Sequence, residues 1–251
     1  MNLLRSEWTK FRGLRSTWIT ATVTVLAAVG VGLLAASGQA RQYTPDTEDW
    51  DPTAVSLTSL FVGQLAIGVL GVLAMSGEYA TGQIQPSVVA VPRRGRLLAA
   101  KAGVFAVVAL VIGQVIGFVS FFGGQALIAA AGVPHASIGE PGVVRAVLGC
   151  GLYLAVLGLI GLGLATALRS TAGAIGTLVG ITLLVRAVSR ALPESWAEWM
   201  ERYWPTAAGE RITHVLTPAG VLTPWAGFAI LCAFGAVVGV AGYTLLRVRD
   251  T

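Results

Sequence analysis

The sequence predicts an all-α polytopic membrane protein: six transmembrane helices preceded by an N-terminal amphipathic interfacial helix. Three observations predict it. The 251 residues are 55% hydrophobic and only 12% charged, about half the charge of an average globular domain. The mean hydropathy is +0.76. The apolar residues stand in continuous runs, and a helix needs about 20 of them to cross a bilayer. The period-two alternation of a barrel strand is absent. One transmembrane domain over 1–251 accounts for the whole chain.

Residues 1–16, MNLLRSEWTKFRGLRS, come first. On a helical wheel Leu4, Trp8, Phe11 and Leu14 share a face. Arg5, Lys10 and Arg12 lie off it, with Glu7 and Arg15 near its edges. That pattern fits a helix lying flat at the cytosolic interface. Six apolar runs follow: Thr17–Ser37, Leu57–Ser76, Leu97–Ala131, Val143–Leu168, Thr171–Val188 and Thr223–Leu246. The first has small residues after it, Gly38-Gln39-Ala40, at cleavage-like spacing. Its polar flank is long and the run is full length, so it is expected to stay as an anchor. The third, at 35 residues, would extend about 50 Å as a helix. It must tilt, protrude, or break near Gly113, Gly117 or Gly123-Gly124. The segment 190–222 is too polar to cross. Trp196, Met200 and Tyr203 recur at helical spacing there, with Trp199 and Trp204 nearby. An extracellular amphipathic or re-entrant helix before Pro205 is expected, as an interfacial anchor or a lid.

Charge fixes the orientation. With the N-terminus inside, the inner segments hold eleven basic and three acidic residues, net +8. The outer segments hold six basic and nine acidic, net −3, which together give the stated +5. The positive-inside rule then places both termini in the cytosol, for a multi-pass protein of the plasma membrane. The excess of base is a topology signal, so nucleic acid is not an expected partner; membrane lipid is. Cys150 and Cys232 lie inside apolar runs and read as small apolar filler. His135 and His214 fall far apart in loops and form no metal pair; no metal or cofactor is expected.

The chain lacks the residues for chemistry. It has no G-x-x-x-x-G-K-[ST] loop and no H-E-x-x-H, and Ser76 and Ser120 have no histidine nearby in sequence. No ionisable residue is clearly at the bilayer centre, where ion-coupled transporters keep theirs. Lys101 lies near a cytosolic end and is expected to snorkel. The deepest strongly polar side chains are Gln64, Gln114 and Gln125. They either hydrogen-bond between helices, each worth about 0.6–2 kcal/mol, or line a substrate path. Gly113-x-x-x-Gly117, Gly176-x-x-x-Gly180 and Gly235-x-x-x-Gly239 permit close helix approach, within a subunit or at a dimer seam. The want of buried charge argues for an external energy source.

The charged island 77–101, GEYATGQIQPSVVAVPRRGRLLAAK, is the most distinctive stretch. Together with LRSEWTKFRGLRSTW (Leu4–Trp18), LGLATALRSTAGAIGTLVG (Leu162–Gly180) and RYWPTAAGERI (Arg202–Ile212), it resembles the permease subunit of ABC transporters of the ABC-2 type, in an actinobacterial-like six-span form. The resemblance implies an exporter subunit that forms its path as a homodimer and is not itself an ATPase. It implies two separate cytosolic ABC ATP-binding subunits as partners. In such permeases an N-terminal elbow helix precedes the first span, here with Arg5, Glu7, Trp8, Lys10, Phe11, Arg12 and Arg15. A coupling loop docks on the ATPase, here 77–97. Glu78, Tyr79 and Gly82 would stand at its start, with Arg93, Arg94 and Arg96 at its return. Pro86 departs from the pattern: proline is tolerated only in a first helical turn, so the coupling helix starts near Gln85 or is kinked. The alternative to a permease is a non-transporting immunity, sensor or scaffold component associated with an ATPase.

Overall fold

A computed structural model describes residues 2–13, 15–45, 49–80, 94–189, 191–217 and 220–248. Within them the chain forms α1 Asn2–Gly13, α2 Arg15–Gln42, α3 Pro52–Ser56, α4 Leu60–Ala80, α5 Arg94–Ala130, α6 Val143–Leu168, α7 Thr171–Val179, α8 Val185–Ser189, α9 Glu194–Tyr203, α10 Pro205–Glu210 and α11 Pro224–Val248. A 3-10 turn, Leu57–Ser59, joins α3 to α4, and a π-helical segment, Gly180–Leu184, joins α7 to α8. No described residue is in a strand. Six helices are long and apolar enough to cross a membrane: Trp18–Gln42, Pro52–Tyr79, Gly95–Ala130, Val143–Leu168, Thr171–Ser189 and Pro224–Val248. The all-α polytopic architecture read from the sequence is the one observed.

Local chemistry sets the boundaries. Asp51 caps α3, its side chain accepting from the backbone of Thr53 and Ala54, and Pro52 takes the first helical position, where its missing N–H costs nothing. Ser170 caps α7 by accepting from Gly173 N at 3.1 Å. The residue before it, Arg169, adopts a left-handed conformation (φ 52°) and closes α6. A glycine usually takes that place. The third span does not break at any of its glycines. It is one 37-residue helix, about 55 Å long, and so protrudes well past a hydrocarbon core of about 30 Å.

Helix α6 is the axis of the bundle. Of its span window 72% is buried, against 17% for each of the fifth and sixth spans, and α4, α5 and α11 all pack on it. Glycine makes this possible. A Cβ at Gly71 would sit 2.0 Å from Gly158 O, and one at Gly161 would sit 2.2 Å from Gly68 O, so α4 and α6 meet backbone to backbone. Gly113 and Gly117 seat α5 on α6 in the same way, against Gly151 and the Val147 carbonyl. Gly235 packs on Val156 and Ile160. By contrast, Gly176, Gly180 and Gly239 would present a Cβ to open space. The three sequence motifs therefore divide. The first is internal packing, the second meets open space, and the third packs at Gly235 and meets open space at Gly239.

The π-helical segment has its own support. A π-turn misaligns carbonyls that an α-helix would satisfy. Trp204 Nε1 donates to Ile181 O at 2.8 Å, and Thr182 Oγ1 donates to Leu178 O at 2.8 Å. An aromatic residue of the polar segment thus holds the irregular part of the fifth span in place.

The glycine contacts give a paired prediction. Gly161→Ala should destabilise the subunit by about 1–3 kcal/mol, the usual cost of overpacking. Gly176→Ala should be neutral or stabilising by up to about 1 kcal/mol through helix propensity. Thermal unfolding in detergent, followed by tryptophan fluorescence, checks both. Equal behaviour of the two variants would contradict the packing described.

Candidate coupling site

Three polar residues far apart in sequence meet at the end of the bundle that holds α1. Glu78 stands near the C-terminus of α4, Lys101 two turns into α5, and Glu7 midway along α1. Lys101 Nζ lies 2.7 Å from Glu78 Oε1 and 2.9 Å from Glu7 Oε2. All three are buried, with 8%, 7% and 5% of their surface exposed for Lys101, Glu78 and Glu7. One ammonium is shared by two carboxylates. Removing one partner of a buried pair strands the other charge out of water.

Two sequence expectations change here. Lys101 was expected to snorkel toward water; it is instead turned into the protein, because two carboxylates offer a better partner than a distant interface. Glu7 was placed near the edge of the apolar face of the N-terminal helix; it points into the bundle. Leu4 and Trp8 of the same helix are 53% and 41% exposed. The helix therefore turns Leu4 and Trp8 outward, beside exposed Arg5, and the acid inward.

The neighbouring Tyr79 is held from the other side. The Arg169 guanidinium lies over its ring, 5.7 Å from the centroid, a cation–π contact. The left-handed backbone of Arg169 places that side chain at the α6–α7 turn. The last two residues of α4 before Ala80 are thus fixed by α1, by α5 and by the turn between the fourth and fifth spans.

Among the residues named from sequence, Arg96 is exposed near the start of α5, and Arg5 is exposed on α1. Gly82, Pro86 and Arg93 lie outside the described residues, as do the side chains of Lys10, Phe11, Arg12, Arg15 and Arg94.

The three glutamines have partners within the subunit. Gln64 Oε1 accepts from the Tyr153 hydroxyl at 2.9 Å, deep between α4 and α6. Gln114 Nε2 donates to Leu148 O at 2.9 Å, bridging α5 and α6. Gln125 Nε2 donates to Pro52 O and Ser56 Oγ at 2.8 and 2.9 Å, while its Oε1 accepts from Ala136 N at 2.7 Å.

The opposite end of the bundle is organised by Asp51. Its Oδ1 caps α3, and its Oδ2 accepts from Val215 N and Leu216 N at 2.8 and 3.1 Å. Arg145 donates to His214 O at 2.7 Å, and Arg186 pairs with Glu210. Beside them opens a cavity of about 860 Å³ bordered by Gln39, Trp50, Phe61, Arg186, Glu210 and His214. None of the three glutamines borders it. Burial pushes the His214 imidazole below its ordinary pKa. Glu210 opposes that shift, Arg211 adds to it, and the weaker influences of Asp51 and Arg186 oppose each other.

A family model described as ABC-2 family transporter protein matches residues 3–185. The chain belongs to this family. It is the membrane permease component of an ABC system, and the matched region holds every residue of the ionic cluster, Tyr79 and Arg169. Comparison with curated proteins finds no match. Sequence reading of the ABC-2 permease named Glu78 and Tyr79 on the loop and Glu7 on the N-terminal helix, without bringing them together with Lys101 or Arg169. Lys101 carried a signal, a lone cation inside an otherwise apolar helix. Arg169 carried none, since one arginine at a turn looks like any topology anchor.

The cluster predicts an order of stabilities. Lys101→Met removes the ammonium that two buried carboxylates share and should cost about 3–5 kcal/mol. Glu7→Gln and Glu78→Gln each leave a neutral 1:1 pair and should cost less, about 1–3 kcal/mol. Unfolding midpoints of the purified variants check the order; Lys101→Met as the mildest of the three would refute it.

His214 predicts a pH effect. A histidine whose folded pKa is depressed binds more protons when unfolded. Its contribution is complete above about pH 6.5 and is lost as pH falls through the folded value. The melting temperature should drop between pH 7 and pH 5 in the native permease, and His214→Asn should flatten that slope.

Proposed function

We propose that this permease is the membrane subunit of an ATP-driven exporter, acting as a homodimer with two separate cytosolic ATP-binding subunits. It resides in the plasma membrane with both termini in the cytosol, and the segment 190–222 faces outside. The ATPase docks on the loop 77–97. Glu78, Tyr79 and Gly82 carry the force at its start, and Arg93, Arg94 and Arg96 at its return. The N-terminal helix lies at the inner interface as the elbow. Energy from ATP enters at the loop, moves the second and third spans, and opens a path between protomers.

The observation that carries this reading is the buried contact of Glu7, Lys101 and Glu78. It joins the elbow and both arms of the loop at one point, just where an external force would arrive. A merely anchored hairpin has no need of three dry charges at its base. The family match supports a transport role over an immunity, sensor or scaffold role, because it covers the elbow, the loop arms, the first four spans and most of the fifth. Gln64, Gln114 and Gln125 are assigned to packing, since each is engaged between elements of the same subunit.

Two experiments test it. Glu78→Gln, reconstituted with the cognate ATPase, should keep complex assembly and ATP hydrolysis while transport per ATP falls several-fold. Unchanged transport would remove Glu78 from the coupling path. Separately, a cysteine at Ser87 should resist impermeant reagents applied outside intact cells; modification there would put the loop on the wrong side for any cytosolic ATPase.

A further inference from the structure

The bundle carries a second cavity, which none of Glu7, Glu78 and Lys101 lines. It is an apolar groove of about 600 Å³ between α5, α6 and α11. Small residues on facing helices create it: Gly95, Ala99 and Ala102 on α5, Gly163 on α6, and Gly235 and Gly239 on α11. The only side-chain heteroatoms lining it are the Cys232 thiol and the Tyr243 hydroxyl. On α11 it runs from Cys232 to Tyr243, about 16 Å along the helix axis. That is the depth of one leaflet, half of a hydrocarbon core of about 30 Å.

Its shape selects the occupant. A volume of about 600 Å³ over this length gives a mean cross-section of about 37 Å². A helix is 10–12 Å across with its side chains, more than twice that section, so it would overfill the groove. A single hydrocarbon chain fits. One end of the groove is basic. The Arg247 guanidinium lies 5.8 Å from the centroid of the Tyr243 ring, and exposed Arg96 follows Gly95 directly. A Cβ at Gly95 would lie 3.0 Å from the Tyr243 ring, so α5 and α11 bring the two arginine-bearing segments together at this mouth. Guanidinium groups suit phosphate in charge and donor geometry.

We infer that the groove binds one anionic phospholipid, an acyl chain lying along α11 and its phosphate headgroup at Arg96 and Arg247. Its placement in the inner leaflet rests on the orientation proposed above; the site itself does not. A lipid here fills the space between the third, fourth and sixth spans, and ties the weakly buried sixth span to the bundle. Basic pockets between helices at the cytosolic side recognise anionic headgroups by the same physics.

The test is native mass spectrometry of the purified permease, released from vesicles of equimolar phosphatidylglycerol and phosphatidylcholine. The wild type should retain phosphatidylglycerol over phosphatidylcholine by about tenfold or more. Arg96→Gln with Arg247→Gln should bring the two lipids toward parity. Gly239→Leu, whose new side chain enters open space, should remove both lipids from the site. Ala99→Leu fills the groove from the facing helix and serves if the first variant fails to fold. Equal retention of the two lipids by the wild type would overturn the proposal, as would undiminished phosphatidylglycerol in a filled variant. Displacement by glycerol 3-phosphate would reduce the site to a headgroup contact and overturn the acyl assignment. If the orientation is wrong, retention is unchanged and only the leaflet differs, so the two failures are told apart.

Discussion

Lys101 is buried, and its ammonium meets both carboxylates only if Glu7 and Glu78 arrive together. A buried ion cluster adds little net stability over an apolar replacement, because desolvation offsets most of the Coulomb gain. What it fixes is geometry. Any register of α1, α4 or α5 that separates the three groups leaves a charge in a dry site, at a cost of several kcal/mol. Helix packing in lipid has no hydrophobic drive between helices, so apolar contacts alone discriminate weakly between registers. The cluster supplies the discrimination at one end of the bundle. The backbone contacts of Gly68, Gly71, Gly158 and Gly161 supply it along the middle.

The opposite end is organised by other means. Asp51 spends both carboxylate oxygens on four backbone N–H groups, two in its own helix cap and two in the segment before the last span. Gln125 ties α5 to α3 and to Ala136. Asp51 is as buried as Glu78, 7% exposed each, but its partners are backbone N–H groups where those of the cluster are charged side chains. One end is thus held by a shared cation, the other mainly by caps and backbone contacts. The contrast follows from what each end must do: the first keeps three helices in one register, and the second closes loops over helix termini.

The fold was legible because its signal is one-dimensional. Apolar runs of 20 or more residues announce spans whatever their partners, and all six recur with ends shifted by a few residues. The N-terminal helix was legible from its wheel, and α9 from the spacing of Trp196, Met200 and Tyr203. What stayed hidden was three-dimensional. Nothing in the spacing of Glu7, Glu78 and Lys101 announces a cluster, and Asp51 reaches Val215 across 164 positions. The π-helical stretch Gly180–Leu184 has no composition of its own; Trp204, more than twenty residues on, donates to its Ile181 carbonyl. Gly176 and Gly113 head identical sequence motifs yet face opposite environments, a difference that only the neighbouring helices decide.

Continuity of α5 gives these separate observations a mechanical relation. Lys101 and Gln125 lie on one unbroken helix, about 36 Å apart at 1.5 Å per residue. A displacement applied at Lys101 reaches Gln125 as rigid-body motion, since no proline, π-turn or bulge interrupts the hydrogen-bond ladder between them. Helix α4 moves with the same end through Glu78, and its glycine contacts carry α6 along. The fifth span is built differently. Its start meets Tyr79 through Arg169, only 17% of its span window is buried, and its ladder is broken by the π-segment. Helices α4, α5 and α6 thus form one closely packed body with an interrupted span beside it. That span borders the 860 Å³ cavity, which Leu183 and Arg186 line.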